Sequence, residues 1–218
     1  MKPGWLTLDD IADARAYERE REQFRSRIIA LKKKRRVPVG PVVTLLFENR
    51  DTIRFQIQEM ARAERLLSDE AIQVELDTYN PLIPGPGELS ATLYIELTSR
   101  AEMEHWLPRL VGIERSVTLE LTEPAGAPGD PAAANGTTPT GAGPAEVIRC
   151  EVEEAHAASL TREEVTAAVH FVRFSLSQAQ IERFRTSTVA VAVDHPGYRE
   201  RTVVGDETRS SLLEDLLR

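Results

Sequence analysis

Residues 42–97 read VVTLLFENRDTIRFQIQEMARAERLLSDEAIQVELDTYNPLIPGPGELSATLYIEL, and the predicted fold depends on the patterns within them. The stretch opens with the apolar run VVTLLF, which suits a strand that is buried on both faces. Ile53, Ile57 and Met60 then follow at i, i+4 and i+7, the spacing of one helix face. Because Ile53 and Ile57 also alternate with Phe55, a hairpin strand over the first half stays an alternative. We favour the helix.

The rest of this stretch predicts a second helix and a strand. Ser68 stands before two acidic residues and a helical apolar spacing, so it is a predicted N-cap. Asn80 ends that helix, because a residue that precedes proline is pushed out of the helical region. A loop rich in proline and glycine follows, and residues 92–97 then alternate between apolar and polar side chains, as in a strand.

Two strand–helix–strand patterns lie further along the chain. In the first, Ser99 and Glu102 form a predicted capping box between strands near 92–97 and 117–121. In the second, Ser177 and Gln180 do the same between strands at 168–176 and 189–193. The similarity is one of pattern and not of residues, so it indicates only a weak internal repeat.

Between these patterns lies the segment PAGAPGDPAAANGTTPTGAGP, residues 124–144. It contains no large apolar side chain, so it cannot bury enough surface to offset the entropy of ordering. We predict a disordered linker at 124–144 between an N-terminal half, 1–123, and a C-terminal half, 145–218. The predicted class is α+β, with a long N-terminal helix, a mixed sheet and strand–helix–strand units on both sides of the linker.

The net charge of −8 is unevenly distributed along the chain. Residues 15–36 hold ten basic and three acidic residues, which gives +7 there and −15 elsewhere. Thr7 and Asp10 resemble a capping box, so we expect one helix from about Leu8 to Arg36. A basic patch would occupy its last turns: Lys32, Lys33, Lys34, Arg35 and Arg36.

Three interpretations of this basic patch remain open. The positive charges can oppose the negative end of the helix dipole. They can also bind an acidic protein partner, or bind nucleic acid or an anionic membrane. The acidity of the remaining chain disfavours nucleic acid, and so does the lack of aromatic residues within the basic run.

The composition excludes several kinds of site. The single cysteine, Cys150, excludes an intramolecular disulfide, and it is too few for a zinc ribbon or a self-contained iron–sulfur cluster. It alternates with charged residues, which is more typical of a strand residue than of a nucleophile. No secretory signal and no apolar run of about 20 residues is present. We expect a cytoplasmic protein with no membrane span and with no metal or cofactor of its own.

Known catalytic motifs are not found in the sequence. There is no P-loop, GxGxxG, GxSxG or HExxH pattern. Glu102 with His105, and Glu153 with His156, have the Glu-x-x-His spacing of di-iron bundles, but four long facing helices are not predicted. Next to Asp194, His195 is better explained as a turn residue than as part of an acid–base dyad.

The polar residues that we expect to make specific contacts, and not only to face solvent, lie mostly between residues 48 and 90. Mixed amides, arginines and carboxylates on half-buried elements can form a structural network, a protein interface or a small-molecule pocket. The sequence leaves these three interpretations open and names no catalytic residue. We call the candidate ligand or interface residues the polar set: Glu48, Asn49, Arg50, Gln58, Glu59, Arg62, Asn80, Glu88 and Ser90.

Three motifs carry a family resemblance. They are FENRDTIRFQIQEM-x-RAER, ELDTYNPLIPGPGELSATL and VDHPGYR. Together they resemble a bacterial family known as domain of unknown function 3501, over nearly the whole chain except the linker. The family brings no catalytic residues. The resemblance also implies certain genomic neighbours. Such proteins are often encoded beside rubrerythrin-like di-iron proteins and iron–sulfur oxidoreductases of the heterodisulfide-reductase type.

Residues and resemblance together lead to two hypotheses about function. The first is an accessory or adaptor protein that works with a redox partner, either an iron–sulfur oxidoreductase or a rubrerythrin-like protein. Any metal would then belong to that partner. The alternative is a small-molecule-binding protein or enzyme, with a polar pocket built from residues 48–90.

Overall fold

The structure is a computed structural model that describes residues 4–123, 145–152 and 165–218. The helices in these ranges are α1 (Ala14–Lys34), α2 (Arg50–Glu64), α3 (Asp69–Tyr79), α4 (Arg100–Trp106), α5 (Gln178–Thr186) and α6 (Asp206–Leu216). The strands are β1 (Arg36–Val39), β2 (Val43–Glu48), β3 (Glu88–Ile95), β4 (Val117–Thr122), β5 (Glu146–Arg149), β6 (Glu151–Val152), β7 (Val169–Ser175), β8 (Thr188–His195) and β9 (Tyr198–Val203). The predicted α+β class is confirmed. Among the described helices, none has the length and apolar character needed to cross a bilayer.

The strands form two antiparallel sheets, whereas the sequence had suggested one mixed sheet. The five-stranded sheet has the order β1-β2-β3-β7-β6, and the four-stranded sheet has the order β5-β4-β8-β9. Each of the two strand–helix–strand units starts in the first sheet and ends in the second. The weak repeat in the sequence therefore corresponds to two units that run the same course through the fold.

Strands from both sides of residues 124–144 pair within each sheet. β3 pairs with β7, and β4 pairs with both β5 and β8. Only Cys150 separates β5 from β6, so this short edge passes from one sheet to the other. One apolar core fills the space between the sheets and includes Phe47 and Phe174 from the first sheet and Leu119 and Val191 from the second. The predicted linker lies outside the described residues.

A helical layer covers the other face of the five-stranded sheet. Phe171 on β7 packs against a second apolar cluster, to which α2, α3 and the N-terminal residues contribute. On α1, Tyr17, Phe24 and Ile28 are buried and pack against Phe55 of α2. Members of the polar set lie on α2 and after α3 in this layer, and on β2 and β3 of the sheet.

Local signals explain why α2 is a helix and not a hairpin strand. The side-chain oxygen of Asn49 accepts hydrogen bonds from the backbone N–H of Asp51 at 3.1 Å and of Thr52 at 3.0 Å. These bonds satisfy donors that a first helical turn leaves open. The helix prediction is confirmed, as are the predicted caps at Ser99 and Ser177.

Two element boundaries differ from the prediction. The capping box of Thr7 and Asp10 is formed, but it closes a single 3-10 turn, and α1 begins only after its own cap, Asp13. The predicted helix to Arg36 also ends early, at Lys34, and Arg36 begins β1, which contains Pro38. An edge strand tolerates proline, because one side of such a strand has no partner that requires the missing N–H.

Candidate functional site

The polar set separates into three groups in the structure, apart from Asn49, which caps α2. One group holds the N-terminal residues, a second pairs α2 with α1, and a third gathers around a residue that was not in the set, Arg173. The members are Arg50, Gln58 and Asn80 in the first group, Glu59 and Arg62 in the second, and Glu48, Glu88 and Ser90 in the third.

The first group anchors residues 4–13, which we call the N-terminal arm. Asn80 accepts a hydrogen bond from the backbone N–H of Leu6 at 2.8 Å and donates one to its carbonyl at 3.0 Å. Gln58 pairs in the same way with Ala12, at 3.0 and 2.8 Å. Both amides are buried, so each replaces the pairing that a neighbouring backbone would supply.

The second group is an ion-pair network between α1 and α2. Glu59 accepts hydrogen bonds from Arg21, with both guanidinium contacts at 2.8 Å, and from the Tyr17 hydroxyl at 2.6 Å. The Arg21 hydrogen bond holds the pKa of the Glu59 carboxyl below its usual range. Burial and the adjacent Glu59 raise the pKa of the Tyr17 hydroxyl. Arg62 pairs with Glu18, so this group too serves the packing of the helices.

This network predicts a specific response to acid. Because the pKa of Glu59 is lowered in the folded state, its contribution to stability is complete above the unfolded pKa of about 4.3 and is lost as the pH falls through the folded value. We expect Glu59→Gln to lower the urea midpoint at neutral pH and to flatten its fall below about pH 5. Urea unfolding at a series of pH values measures both. Glu64→Gln, at an exposed carboxyl on the same helix, should keep the wild-type slope. Equal slopes for Glu59→Gln and wild type would contradict the assignment.

Glu48 belongs to the third group and lies at the end of β2. Its Oε1 accepts a hydrogen bond from the Thr92 hydroxyl at 2.7 Å, whereas its Oε2 is buried and has no hydrogen-bond partner among the described residues. The side chain is only 5% exposed. Ser90 lies directly opposite on β3 and donates its hydroxyl proton to the carbonyl of Leu82 at 2.5 Å.

Arg173 extends this group onto β7, opposite Ser90. It pairs with Glu88 and donates a hydrogen bond to the carbonyl of Pro81. Glu88 also accepts a bond from the backbone N–H of Gly85 at 2.8 Å. The third group therefore fixes the proline- and glycine-rich loop onto the sheet. Alternation along β7 could have revealed Arg173, since it faces away from the apolar side of that strand.

Three cavities border the polar set. One of about 10 Å³ is lined by Glu48, Ser90 and Arg173, together with apolar side chains. A cleft of about 170 Å³ between the N-terminal arm, α1 and α2 includes Gln58 and Arg62. Another, of about 220 Å³, lies beside residues 83–86 and includes Asn49 and Arg50. The members of the polar set thus line different cavities rather than a common one.

The structure corrects the predicted basic patch at Arg35. This side chain is 1% exposed and forms a buried ion pair with Asp215 of α6. Its guanidinium also donates hydrogen bonds to the carbonyl of Phe47 at 2.8 Å, to that of Glu48 at 3.0 Å and to the Ser211 hydroxyl at 3.0 Å. Arg35 therefore joins α1, β2 and α6 within the fold and cannot contact a partner.

Most of the other charges in this run are also engaged within the molecule. Lys34 pairs with Glu207 at 2.9 Å, and Arg36 pairs with Glu96. The ammonium group of Lys32 lies 5.7 Å from the centre of the Phe55 ring. Only Lys33 in the run is exposed without such a contact to a described residue.

Exposed positive charge also lies on the part of α1 that precedes this run. We call Arg15, Arg19, Arg25 and Lys33 the basic face of α1. All four side chains are exposed and form no ion pair within the described part of the chain. Ile29, between them, is 49% exposed. This surface points away from Tyr17, Phe24 and Ile28, which are buried against α2.

Cys150 is partly buried and lies in the single-residue break between β5 and β6. Its thiol donates a hydrogen bond to the carbonyl of Glu114 at 3.1 Å, and burial raises the pKa of the Cys150 thiol to about 11. A thiol with that pKa is protonated at neutral pH and is a poor nucleophile. The sequence predicted a strand residue, whereas Cys150 lies between two strands.

The histidine motifs occupy structural positions. His195 accepts a hydrogen bond from the N–H of Gly197 at 3.1 Å and donates one to the carbonyl of Val111 at 3.0 Å, as a turn residue does. Glu102 caps α4, as expected. The pair Glu153 and His156 lies outside the described residues. Within the described ranges, no three His, Cys, Asp or Glu side chains are grouped so that they could hold a metal ion.

Comparison with known proteins identifies the family. The model of the family described as "Protein of unknown function (DUF3501)" matches residues 5–135 and 145–216. The chain is also similar to a protein of unknown function from Burkholderia pseudomallei, known from a crystal structure, with 33% identity and a TM-score of 0.79. That match covers 97% of this chain and 98% of the other. No curated protein matches. The chain therefore belongs to the DUF3501 family of proteins of unknown function.

Proposed function

We propose that this protein is an accessory subunit that binds an acidic protein partner through the basic face of α1. One observation carries the proposal: four cationic side chains on one helix form no ion pair with any described residue, and the rest of the chain is strongly acidic. Residues 15–36 hold +7, and the net charge of −8 leaves −15 for the remainder. A cationic surface steers association towards acidic partners.

The fold itself gains little from these four charges. Arg15 and Arg19 are spaced i, i+4, where like charges destabilise a helix by a few tenths of a kcal/mol. The other arginines of α1 near α2 behave differently, since Arg21 pairs with Glu59 and so supports helix packing. Carboxylates from a partner would neutralise the basic face, and the half-exposed Ile29 would add apolar contact at its centre.

The kind of partner follows from the family resemblance. Relatives are often encoded beside rubrerythrin-like di-iron proteins and iron–sulfur oxidoreductases, so we propose a redox protein of one of these classes. The metal would belong to the partner, and this chain would supply a docking surface. The polar set supports this division, because the contacts of most of its members tie elements of the fold together.

Charge reversal tests the proposal. We expect an iron-containing partner to co-purify stoichiometrically with the wild type under anaerobic conditions. A variant with Glu in place of Arg15, Arg19, Arg25 and Lys33 should recover at least tenfold less of this partner. Mass spectrometry and metal analysis of the eluate measure both. The matched control places Glu at four exposed arginines elsewhere, which gives the same change in net charge: Arg100, Arg185, Arg199 and Arg218.

Two outcomes would contradict the proposal in different ways. If the basic-face variant retains the partner as well as the control does, the protein is an accessory subunit that uses another surface. If the wild type is isolated alone and without metal, the accessory role fails. The small-molecule hypothesis would then take its place, with the clefts beside Gln58 and Arg50 as the first sites to screen.

A further inference from the structure

We propose that two copies of this chain form a two-fold symmetric dimer, in which Leu67 of each copy fills a cleft on the other. The cleft is the one of about 170 Å³ between the N-terminal arm, α1 and α2. None of the four residues of the basic face lines it, so the contact is independent of the accessory role. The proposal follows from the lining of the cleft, from the charges at its rim and from the turn that carries Leu67.

The lining of the cleft is mostly apolar. Buried and half-buried aliphatic side chains of the N-terminal arm, α2, the α2–α3 turn and α3 contribute to it: Leu8, Ile11, Ala61, Leu66 and Ile72. The volume is more than ten times the roughly 10–15 Å³ that one water molecule needs, so one aliphatic side chain fits. Because an entering apolar side chain releases water from this lining, such an occupant is favoured.

Two carboxylates at the cleft have no ion-pair partner among the described residues. Asp13 and Asp69 both line the cleft, and both are exposed. Asp13 caps α1 through Oδ1, which accepts two backbone hydrogen bonds at 2.9 and 2.8 Å, so its Oδ2 remains available. Arg62 also lines the cleft, but its charge is paired with Glu18. The occupant should therefore bring a positive charge beside its apolar side chain.

The turn between α2 and α3 has both of these properties. Leu67 is 83% exposed and is itself one of the residues that border the cleft. Arg65, two residues earlier, is exposed and forms no ion pair with a described residue. It has the left-handed backbone conformation that ends α2, with a φ of 56°, where glycine is usual. An arginine at this position adds a positive charge within two residues of Leu67.

A second copy of the chain fits this surface because the exposed leucine and the cleft are neighbours on it. A two-fold axis beside Leu67 brings each leucine to the cleft of the other copy, and the same contact forms twice. Arg65 and Asp69 lie two residues before and two residues after Leu67, so the axis places each arginine opposite the aspartate of the other copy. An acidic partner would instead bring carboxylates towards Asp13 and Asp69. The charges of this surface therefore favour self-association.

Sedimentation equilibrium of the full chain tests the dimer. The contact is small and belongs to the weak end of protein–protein interfaces, so we expect a dissociation constant of about 10–100 μM. Leu67→Ser should raise this constant by about tenfold or more, because it removes the side chain that fills the cleft. The matched control is Val203→Ser, at an apolar residue of β9 that is 52% exposed, and it should leave the constant unchanged.

Charge reversal tests the pairing of Arg65 with Asp69. Arg65→Asp and Asp69→Arg should each weaken the dimer, because like charges then meet across the axis. The two substitutions in one chain should restore most of the affinity, because each pair is rebuilt with its signs exchanged. Both side chains are exposed, so the variants should keep the fold, which circular dichroism checks.

Three results would overturn the proposal. A wild type that stays monomeric up to about 1 mM does not form this dimer. A dimer that Leu67→Ser does not weaken uses another surface. A double charge variant that is as weak as the single variants shows that Arg65 does not meet Asp69 of the other copy, which excludes the two-fold arrangement.

Discussion

Replacing Arg35 by methionine is expected to lower the free energy of unfolding by about 3–5 kcal/mol, enough to leave little folded protein at 37 °C. Methionine keeps much of the side-chain volume but removes the charge and every hydrogen bond. Asp215 then stays buried with only the more distant guanidinium of Arg218, at 3.8 Å, beside it, and the carbonyls of Phe47 and Glu48 each lose a donor. An uncompensated buried charge is among the largest single costs that a substitution can impose.

Urea unfolding followed by circular dichroism measures this loss. Lys33→Met removes a neighbouring positive charge that is exposed, so it should change stability by less than about 0.5 kcal/mol. A second substitution, Asp215→Leu, should restore part of the loss in the Arg35→Met background, because it removes the orphaned carboxylate. Stability near the wild-type value in the single variant would contradict the buried ion pair.

Replacing Asn80 by alanine is expected to release the N-terminal arm and to cost about 3 kcal/mol. The amide of Asn80 satisfies both backbone groups of Leu6, which is itself buried against α2 and α3. Each buried backbone group that loses its partner costs about 1–3 kcal/mol, unless the arm leaves the surface and finds water. Detachment would in turn expose Leu6 and the apolar side chains beneath it.

Hydrogen exchange resolves this effect by segment. In Asn80→Ala, amides of residues 4–13 should exchange much faster, while those of β3 and β7 should stay protected. Gln73→Ala removes an exposed amide from α3 and should leave the arm unchanged. Wild-type protection of the arm in Asn80→Ala would show that Gln58 and the apolar contacts hold it without help.

Local patterns in the sequence predicted most of the elements, because their causes are local. Serine caps three residues before a glutamate or glutamine fixed the starts of α4 and α5, and alternation located β4, β7 and β8. The prediction was less accurate where the deciding contact is distant. Arg35 looks like its basic neighbours, and its partner Asp215 is 180 residues away. Nothing in a run of like charges marks the member that faces inward.

The same distinction applies to the polar set. The sequence predicted specific contacts for its residues, and in the structure most of them have partners in other elements. The amides of Gln58 and Asn80 bind backbone groups that no side-chain pattern reveals. Arg173 was missed because the apolar residues that alternate with it dominate β7. The orphaned oxygen of Glu48 depends on three adjacent strands, so only the fold could show it.

The pairing of strands across residues 124–144 has a consequence during synthesis of the chain. β3 and β4 leave the ribosome before their partners β7 and β8 exist, and β8 begins about 65 residues after β4 ends. At a synthesis rate of roughly 5–20 residues per second, the edge of β4 that later pairs with β8 stays unpaired for about 3–13 s. Open edges invite pairing with other chains. The nascent protein therefore passes through a period in which it depends on chaperones or on its own acidic charge to stay separate from its neighbours.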